Sequence, residues 1–171
     1  MMRIRIIITG GTFDKDYDEL HGSLVFRRTH LPQILKQIRC TVPIVLELNQ
    51  LIDSLEMGPE NRRQILTSCR KSRERHILIT HGTDTMVETA RLLGEAGLAK
   101  TIVLTGAMVP YAMGNSDAIF NLGCGLAAAQ LLPEGVYIAM NGRIFSWDKV
   151  RKNYEQGTFE LTSREPSSSK A

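Results

Sequence analysis

Three short apolar runs constrain this chain most: Ile6-Ile7-Ile8, Ile77-Leu78-Ile79 and Ile102-Val103-Leu104. Each is apolar on both residue parities, so a strand built from it has no face to offer water and must be covered on both sides. Each is then cut off by a threonine and glycine: Thr9-Gly10-Gly11, Thr80-His81-Gly82 and Thr105-Gly106. Buried strands that end in tight polar turns, with helical patterns between them, are the pattern of a parallel sheet between helical layers.

The connecting segments supply those layers. Proline at position 32 suits the first turn of a helix capped by Thr29, with Leu31, Ile34, Leu35 and Ile38 as its apolar stripe. Residues 44–48 read as a strand, and Pro59 opens a helix with Ile65, Leu66 and Cys69 on one side. Thr83 or Asp84 is placed to cap a helix carrying Met86, Ala90 and Leu93, whose frayed end is marked by Gly94 and Gly97. Ser116 or Asp117 starts another, which reaches Leu132 before Pro133 stops it. Its Gly123 and Ala127 suit close packing, either against the sheet or against a second copy. Residues 136–140 form a further strand, and 144–152 a short extended or hairpin region. The expected fold is therefore doubly wound α/β, a Rossmann-like three-layer αβα domain over residues 1–162. Residues 163–171, with Pro166 and three consecutive serines, have no core-forming pattern and are expected to be a disordered tail.

One segment resists this scheme. Residues 12–28 carry Asp14, Asp16 and Asp18 with Tyr17 and Gly22, and alternate only at Leu24 and Phe26. That is long for a structureless connection, so the segment is a hairpin or a functional lid.

Composition removes several function classes. A formal charge of +3 is small, and the densest basic cluster, Arg70-Lys71-Ser72-Arg73 with Arg75, is interrupted by Glu74. No nucleic-acid footprint follows from that. Cys40, Cys69 and Cys124 are an odd, widely spaced set without a CxxC pair, which argues against a disulfide framework or a thiolate zinc site. The amino-terminal apolar run is too short for a signal peptide or a membrane span. The expectation is a soluble cytoplasmic protein, without a membrane partner.

In an open α/β sheet, ligands bind outside the carboxyl ends of the strands. The turns at Thr9-Gly10-Gly11-Thr12, Asp53-Ser54, Thr80 through Thr85 and Thr105-Gly106-Ala107 would bring hydroxyls, backbone N–H groups and a carboxylate to one crevice. GxGxxG and GK[ST] are absent, so no nucleotide cofactor is expected. His21, His30, His76 and His81 form neither HExxH nor a visible triad, so no metal is expected. GxSxG is absent as well.

The turns themselves resemble those of the bacterial-type L-asparaginase family, the threonine amidohydrolases that include an amidotransferase subunit of indirect glutaminyl-tRNA charging. Thr9-Gly10-Gly11-Thr12 is similar to the family's first signature and His81-Gly82-Thr83-Asp84-Thr85-Met86 to its second. Leu104-Thr105-Gly106-Ala107-Met108, Pro110, Ser116-Asp117 and Asn121-Leu122 follow in the family's order, and Asp53-Ser54 with Met57 is similar to its substrate-binding turn. The resemblance implies an asparaginase amino-terminal domain with a left-handed crossover near the active site. It implies Thr12 as nucleophile, Thr83, Asp84 and Lys152 as a proton-handling set, and Tyr17 as a hydroxyl bonded to the nucleophile. Substrate would rest on Gly11, Ser54, Thr83, Asp84 and Ala107. Lys152 is taken over Lys149 because it falls in the family's lysine segment; in an extended chain the two would point to opposite faces.

The implied function is hydrolysis of L-asparagine or a related small amino-acid amide, without a cofactor. A family member continues into a second domain, from which a neighbouring subunit's glutamate closes the site, and that glutamate has no counterpart in these 171 residues. A homodimer or larger homo-oligomer is the expected remedy, with a partner carboxylate drawn from residues 14–19. The alternatives are a non-catalytic amino-acid-binding or regulatory protein, or a partner-dependent amidotransferase subunit.

Overall fold

The computed structural model describes residues 2–162. Six strands make the main sheet: β1 (Ile4–Gly10), β4 (Ile44–Ile52), β5 (His76–Thr80), β6 (Thr101–Thr105), β7 (Gly135–Met140) and β8 (Arg143–Ser146). Their order across the sheet is β4-β1-β5-β6-β7-β8, parallel except for the final hairpin strand β8. The chain starts in β1, goes to one side for β4, then returns past β1 to β5. The switch point lies between β1 and β5, whose carboxyl ends carry Gly11 and His81-Gly82.

Four helices cover the sheet: α1 (Leu31–Gln37), α2 (Pro59–Lys71), α3 (Met86–Glu95) and α4 (Ala118–Leu131). Residues of α2 and α3 share one core with Ile7, Ile77, Ile79, Ile102 and Leu104. Those of α1 and α4 share the other with Ile4, Ile6, Ile8, Leu78 and Val103. Neighbouring residues of β1, β5 and β6 thus go to opposite cores, which is why these runs are apolar on both parities.

The placement of α4 fixes a handedness. Both β5-α3-β6 and β6-α4-β7 step the same way across the sheet, yet their helices lie on opposite faces. The two crossovers therefore have opposite hands. The α1, α2 and α3 connections are mutually consistent, so with these in the usual right hand the α4 connection is left-handed, as the family resemblance implied. One consequence is that α4 leaves the α3 face beside β7 uncovered. A separate hairpin, β9 (Val150–Asn153) and β10 (Thr158–Leu161), fills it, with Val150 and Phe159 buried in the α3-side core.

Several local expectations change. The strand expected at 44–48 continues to Ile52, because Asn49 and Gln50 bond to Ser68 and Asn61 of α2 instead of leaving the sheet. Residues 15–26 form a hairpin, β2 (Lys15–Asp18) with β3 (Ser23–Phe26). The first turn of α1 is held by Thr29 Oγ1, which accepts from Leu31 N at 3.3 Å, and also by the distant Asp14, which accepts from His30 N at 2.8 Å. Gly94 lies within α3 because the Trp147 ring occupies the space a side chain would need. On α4, Gly125 faces the sheet, where a Cβ would stand 2.8 Å from Leu78 Cδ1, while Gly123 and Ala127 face outward. No described helix is long and apolar enough to cross a membrane. The tail expected at 163–171 lies outside the described residues.

Candidate active site

Glycine lets the strand-end turns approach. Gly11 has φ +71° and lies against the backbone of His81 and Gly82, where an added Cβ would stand 2.9 Å from His81 C. Gly82 in turn faces Ser54, whose Oγ and Cβ would be 2.5 and 2.6 Å from a Cβ placed there. Gly106 completes the set: a Cβ on it would overlap His81 O and stand 3.4 Å from Thr83 Cγ2. These glycines therefore do more than shape their own turns. They let the turns that carry Thr12, Ser54, Thr83 and Ala107 come together at the switch point.

The polar groups are positioned by long-range bonds. Lys152, on β9, donates from Nζ to Thr83 Oγ1 at 2.8 Å and to Asp84 Oδ1 at 2.6 Å. Its side chain is only 5% exposed, whereas that of Asp84 is 34% exposed. The Thr83 hydroxyl, having accepted from Lys152, donates to Met108 Sδ at 3.5 Å. Thr83 and Asp84 do not cap α3, because their side chains are taken by Lys152; Thr85 occupies the cap position without a side-chain cap. Thr85 instead joins the crevice to the Ser54 turn, donating from N to Ser54 Oγ and from Oγ1 to Ser54 O at 2.8 Å. Lys149, the alternative lysine, is exposed on the preceding turn.

Thr12 begins a short helical turn, Thr12–Asp14, and is half-buried. Tyr17 is not joined to it by a hydrogen bond. Tyr17 is 53% exposed on β2 opposite Leu24, and its hydroxyl lies near Gly22 at the hairpin tip. Ala107 is buried just beyond β6. The neighbouring loop is fixed by α4, since Asn121 Nδ2 donates to Gly106 O and Asp117 accepts from Met108 N and Val109 N, each at 3.0 Å.

Three contacts were not anticipated from the sequence. Lys15 pairs with Asp53, tying the Thr12 turn to the Ser54 turn. Burial works to raise the Asp53 carboxyl, but the Lys15 bond and charge and Leu55 N–H outweigh it and hold it below its ordinary value. Asp14 is fully buried, and burial pushes its carboxyl up despite bonds from His30 N and Thr29. It therefore cannot serve as the carboxylate offered to a neighbouring copy. Tyr154 follows β9, and its hydroxyl donates to Asp84 O at 2.7 Å. Separation of the partners along the chain hid all three contacts, which span 38, 16 and 70 residues.

His81 is a scaffold group. It is fully buried, with Nδ1 at 2.7 Å from Gly82 O and Nε2 at 2.8 Å from Thr89 Oγ1. Burial lowers its pKa to about 4, so the ring is neutral near pH 7; the Nδ1–H then donates to Gly82 O and Nε2 accepts from Thr89. Among the described residues, no group of three His, Cys, Asp or Glu side chains is arranged to hold a metal ion.

Comparison with known proteins agrees with this architecture. The chain is 28% identical to Escherichia coli K12 L-asparaginase 1 over 166 residues, covering 90% of this chain and 48% of that protein. It is 29% identical to a glutamyl-tRNA(Gln) amidotransferase subunit of Archaeoglobus fulgidus over 177 residues, covering 95% of this chain and 42% of that protein. Among solved structures, the thermostable L-asparaginase from Thermococcus kodakarensis superposes with a TM-score of 0.81 at 28% identity, over 94% of this chain and 51% of that one. The chain thus spans about half the length of the curated relatives it matches. With the model of the domain described as "Asparaginase, N-terminal" matching residues 3–166, and the strand-end turns assembled as above, the chain belongs to the asparaginase family.

Proposed function

We propose that this chain is an amidohydrolase that converts a small amino-acid amide, such as L-asparagine, to the acid and ammonia. The observation that carries this reading is Lys152 bonded to both Thr83 and Asp84 beside the Thr12 turn. Thr12 Oγ attacks the amide carbon, and the C–N bond breaks as nitrogen leaves with protons to become ammonia. The Thr12 hydroxyl proton passes to the Thr83-Lys152-Asp84 set, in which the Lys152 ammonium gives a proton to the Asp84 carboxylate as it takes one through the Thr83 hydroxyl, and the reverse transfer supplies the leaving nitrogen. Water then opens the acyl ester on Thr12, releasing the acid and restoring the hydroxyl. Backbone N–H groups of Thr12 and Thr83 are the candidate donors to the oxyanion. The amino-acid end rests on Gly11, Ser54 and Asp84, and the carboxamide N–H meets the Ala107 carbonyl. Tyr17 takes part only if the hairpin tip moves its hydroxyl toward Thr12.

The reading includes a cytoplasmic homo-oligomer in which a second copy covers the site, since enclosure strengthens polar contacts at the reacting amide. The test is ammonia release from a panel of amino-acid amides, with the Thr12→Ala variant as control. Release by the natural chain and its loss in the variant support the proposal. Equal rates in both would reject Thr12 as nucleophile, and binding of an amide without release would favour an amino-acid-binding role.

A further inference from the structure

The β9–β10 hairpin contributes more than Lys152. In the turn that follows β9, Tyr154 places its ring 5.1 Å from Lys152 Nζ and donates its hydroxyl to the backbone oxygen of Asp84 at 2.7 Å. One side chain thus contacts both members of the Lys152–Asp84 pair. An ammonium at this distance from a ring centroid is within cation–π range. The turn is itself ordered: Asn153 Oδ1 accepts from Glu155 N and Gln156 N, each at 3.1 Å, and Gly157 takes φ +63°. Gly157 also backs Met108, whose methyl carbon would be 3.2 Å from a Cβ there, and Met108 is the acceptor of the Thr83 hydroxyl. Tyr154 and Gly157 therefore reach the Thr83-Lys152-Asp84 set from two sides.

The geometry points to Tyr154 as a positioning residue that covers Lys152 and fixes Asp84, so that this chain supplies part of the site's enclosure itself. Tyr154 is 68% exposed while Lys152 is 5% exposed, so the aromatic ring is the water-facing layer over a nearly buried ammonium. Its exposure also means that truncating it removes little core packing. The inference rests on the amidohydrolase reading for its kinetic half and on geometry alone for the other half.

The experiment pairs Tyr154→Ala with Tyr154→Phe in the full chain and reads two quantities. The first is the rate at which acetic anhydride acetylates Lys152, followed by peptide mass spectrometry. The alanine variant should react at least about fivefold faster and the phenylalanine variant, which keeps the ring, within about twofold of the natural chain. The second is amide hydrolysis: alanine should lower kcat about tenfold with KM nearly unchanged, and phenylalanine, which keeps the ring over Lys152 but lacks the hydroxyl that bonds Asp84 O, should recover only part of it. Faster acetylation in a chain that releases no ammonia from any amide would support the cover while rejecting the amidohydrolase reading. Unchanged acetylation in the alanine variant overturns the proposal, and so does a kcat that alanine leaves unchanged in a chain that hydrolyses amides.

Discussion

Gly82 and Ser54 are in contact at the floor of the crevice: a methyl group on Gly82 would stand 2.6 Å from Ser54 Cβ. Ser54 in turn accepts two bonds from Thr85, so displacing it disturbs both the β5 turn and the Asp53-Ser54 turn. Gly82→Ala should lower stability by about 1–3 kcal/mol through overpacking. It should also raise KM for an amide more than it lowers kcat. Urea unfolding and steady-state kinetics on the purified variant check both, and an unchanged KM would show that Ser54 is not part of the cradle.

Exchanging the two nearby lysines separates site from surface. Lys152→Met should reduce amide hydrolysis by about 10²- to 10³-fold, the usual scale for losing a proton-handling group. Lys149→Met should leave the rate within about twofold, since Lys149 is exposed on the turn before β9. The reverse order of effects would move the site lysine to Lys149.

Stability should fall as the medium is acidified between about pH 6.5 and 4. His81 has its folded pKa lowered to about 4 by burial, whereas an unfolded histidine titrates near its ordinary value of 6.5. In that window the unfolded chain binds the proton and the folded chain does not, so stability rises with pH through it. The contribution is about 2 kcal/mol between pH 4.5 and 7. Asp14, whose carboxyl is raised by burial, acts in the opposite sense, its favourable term being lost as pH rises through its folded value. Urea midpoints across this range, with the His81 ring followed by NMR, test the assignment. A His81 signal titrating near pH 6.5 would remove it.

The base of the β2–β3 hairpin should exchange amide hydrogens more slowly than its tip. Lys15 is paired with Asp53, and His30 bonds to both Asp14 and Asp16, so the hairpin is fastened near its two ends. Residues 19–22 at the tip are exposed. Hydrogen exchange should show this gradient without ligand, and an amide or product acid should slow the tip. Uniform protection that ligand does not alter would mean that the hairpin is not a lid and that Tyr17 has no part in hydrolysis.

Self-association should involve the outer face of α4. Phe120 is 59% exposed and Leu131 83% exposed there, with Gly123 and Ala127 between them. Sedimentation over a concentration series should give a dimer or larger species, and Ala127→Lys should weaken it. A chain that stays monomeric at every concentration while hydrolysing amides would exclude a site shared between copies.

The amino-acid sequence by itself determined the layers of this protein. Runs such as Ile77-Leu78-Ile79 have no polar parity, so they were bound to become strands covered on both faces. The glycine that follows each marked where the chain must turn, and local pattern also placed α2 from Pro59 and α4 up to Pro133. Residues 49–52 misled, because the polar Asn49 and Gln50 read as loop until the bonding groups of α2 are set beside them. The same limit hid the second support of the first turn of α1, which comes from Asp14, and the role of Gly94, which admits a Trp147 ring 53 residues away. Only the tertiary structure decided how the site is assembled. Lys152 lies 69 residues beyond Thr83, and no spacing rule relates them. They meet because the α4 crossover goes to the other face of the sheet, leaving room beside α3 for the β9–β10 hairpin. Burial of Val150 and Phe159 in the α3-side core then holds that hairpin, and with it Lys152, against the end of β5.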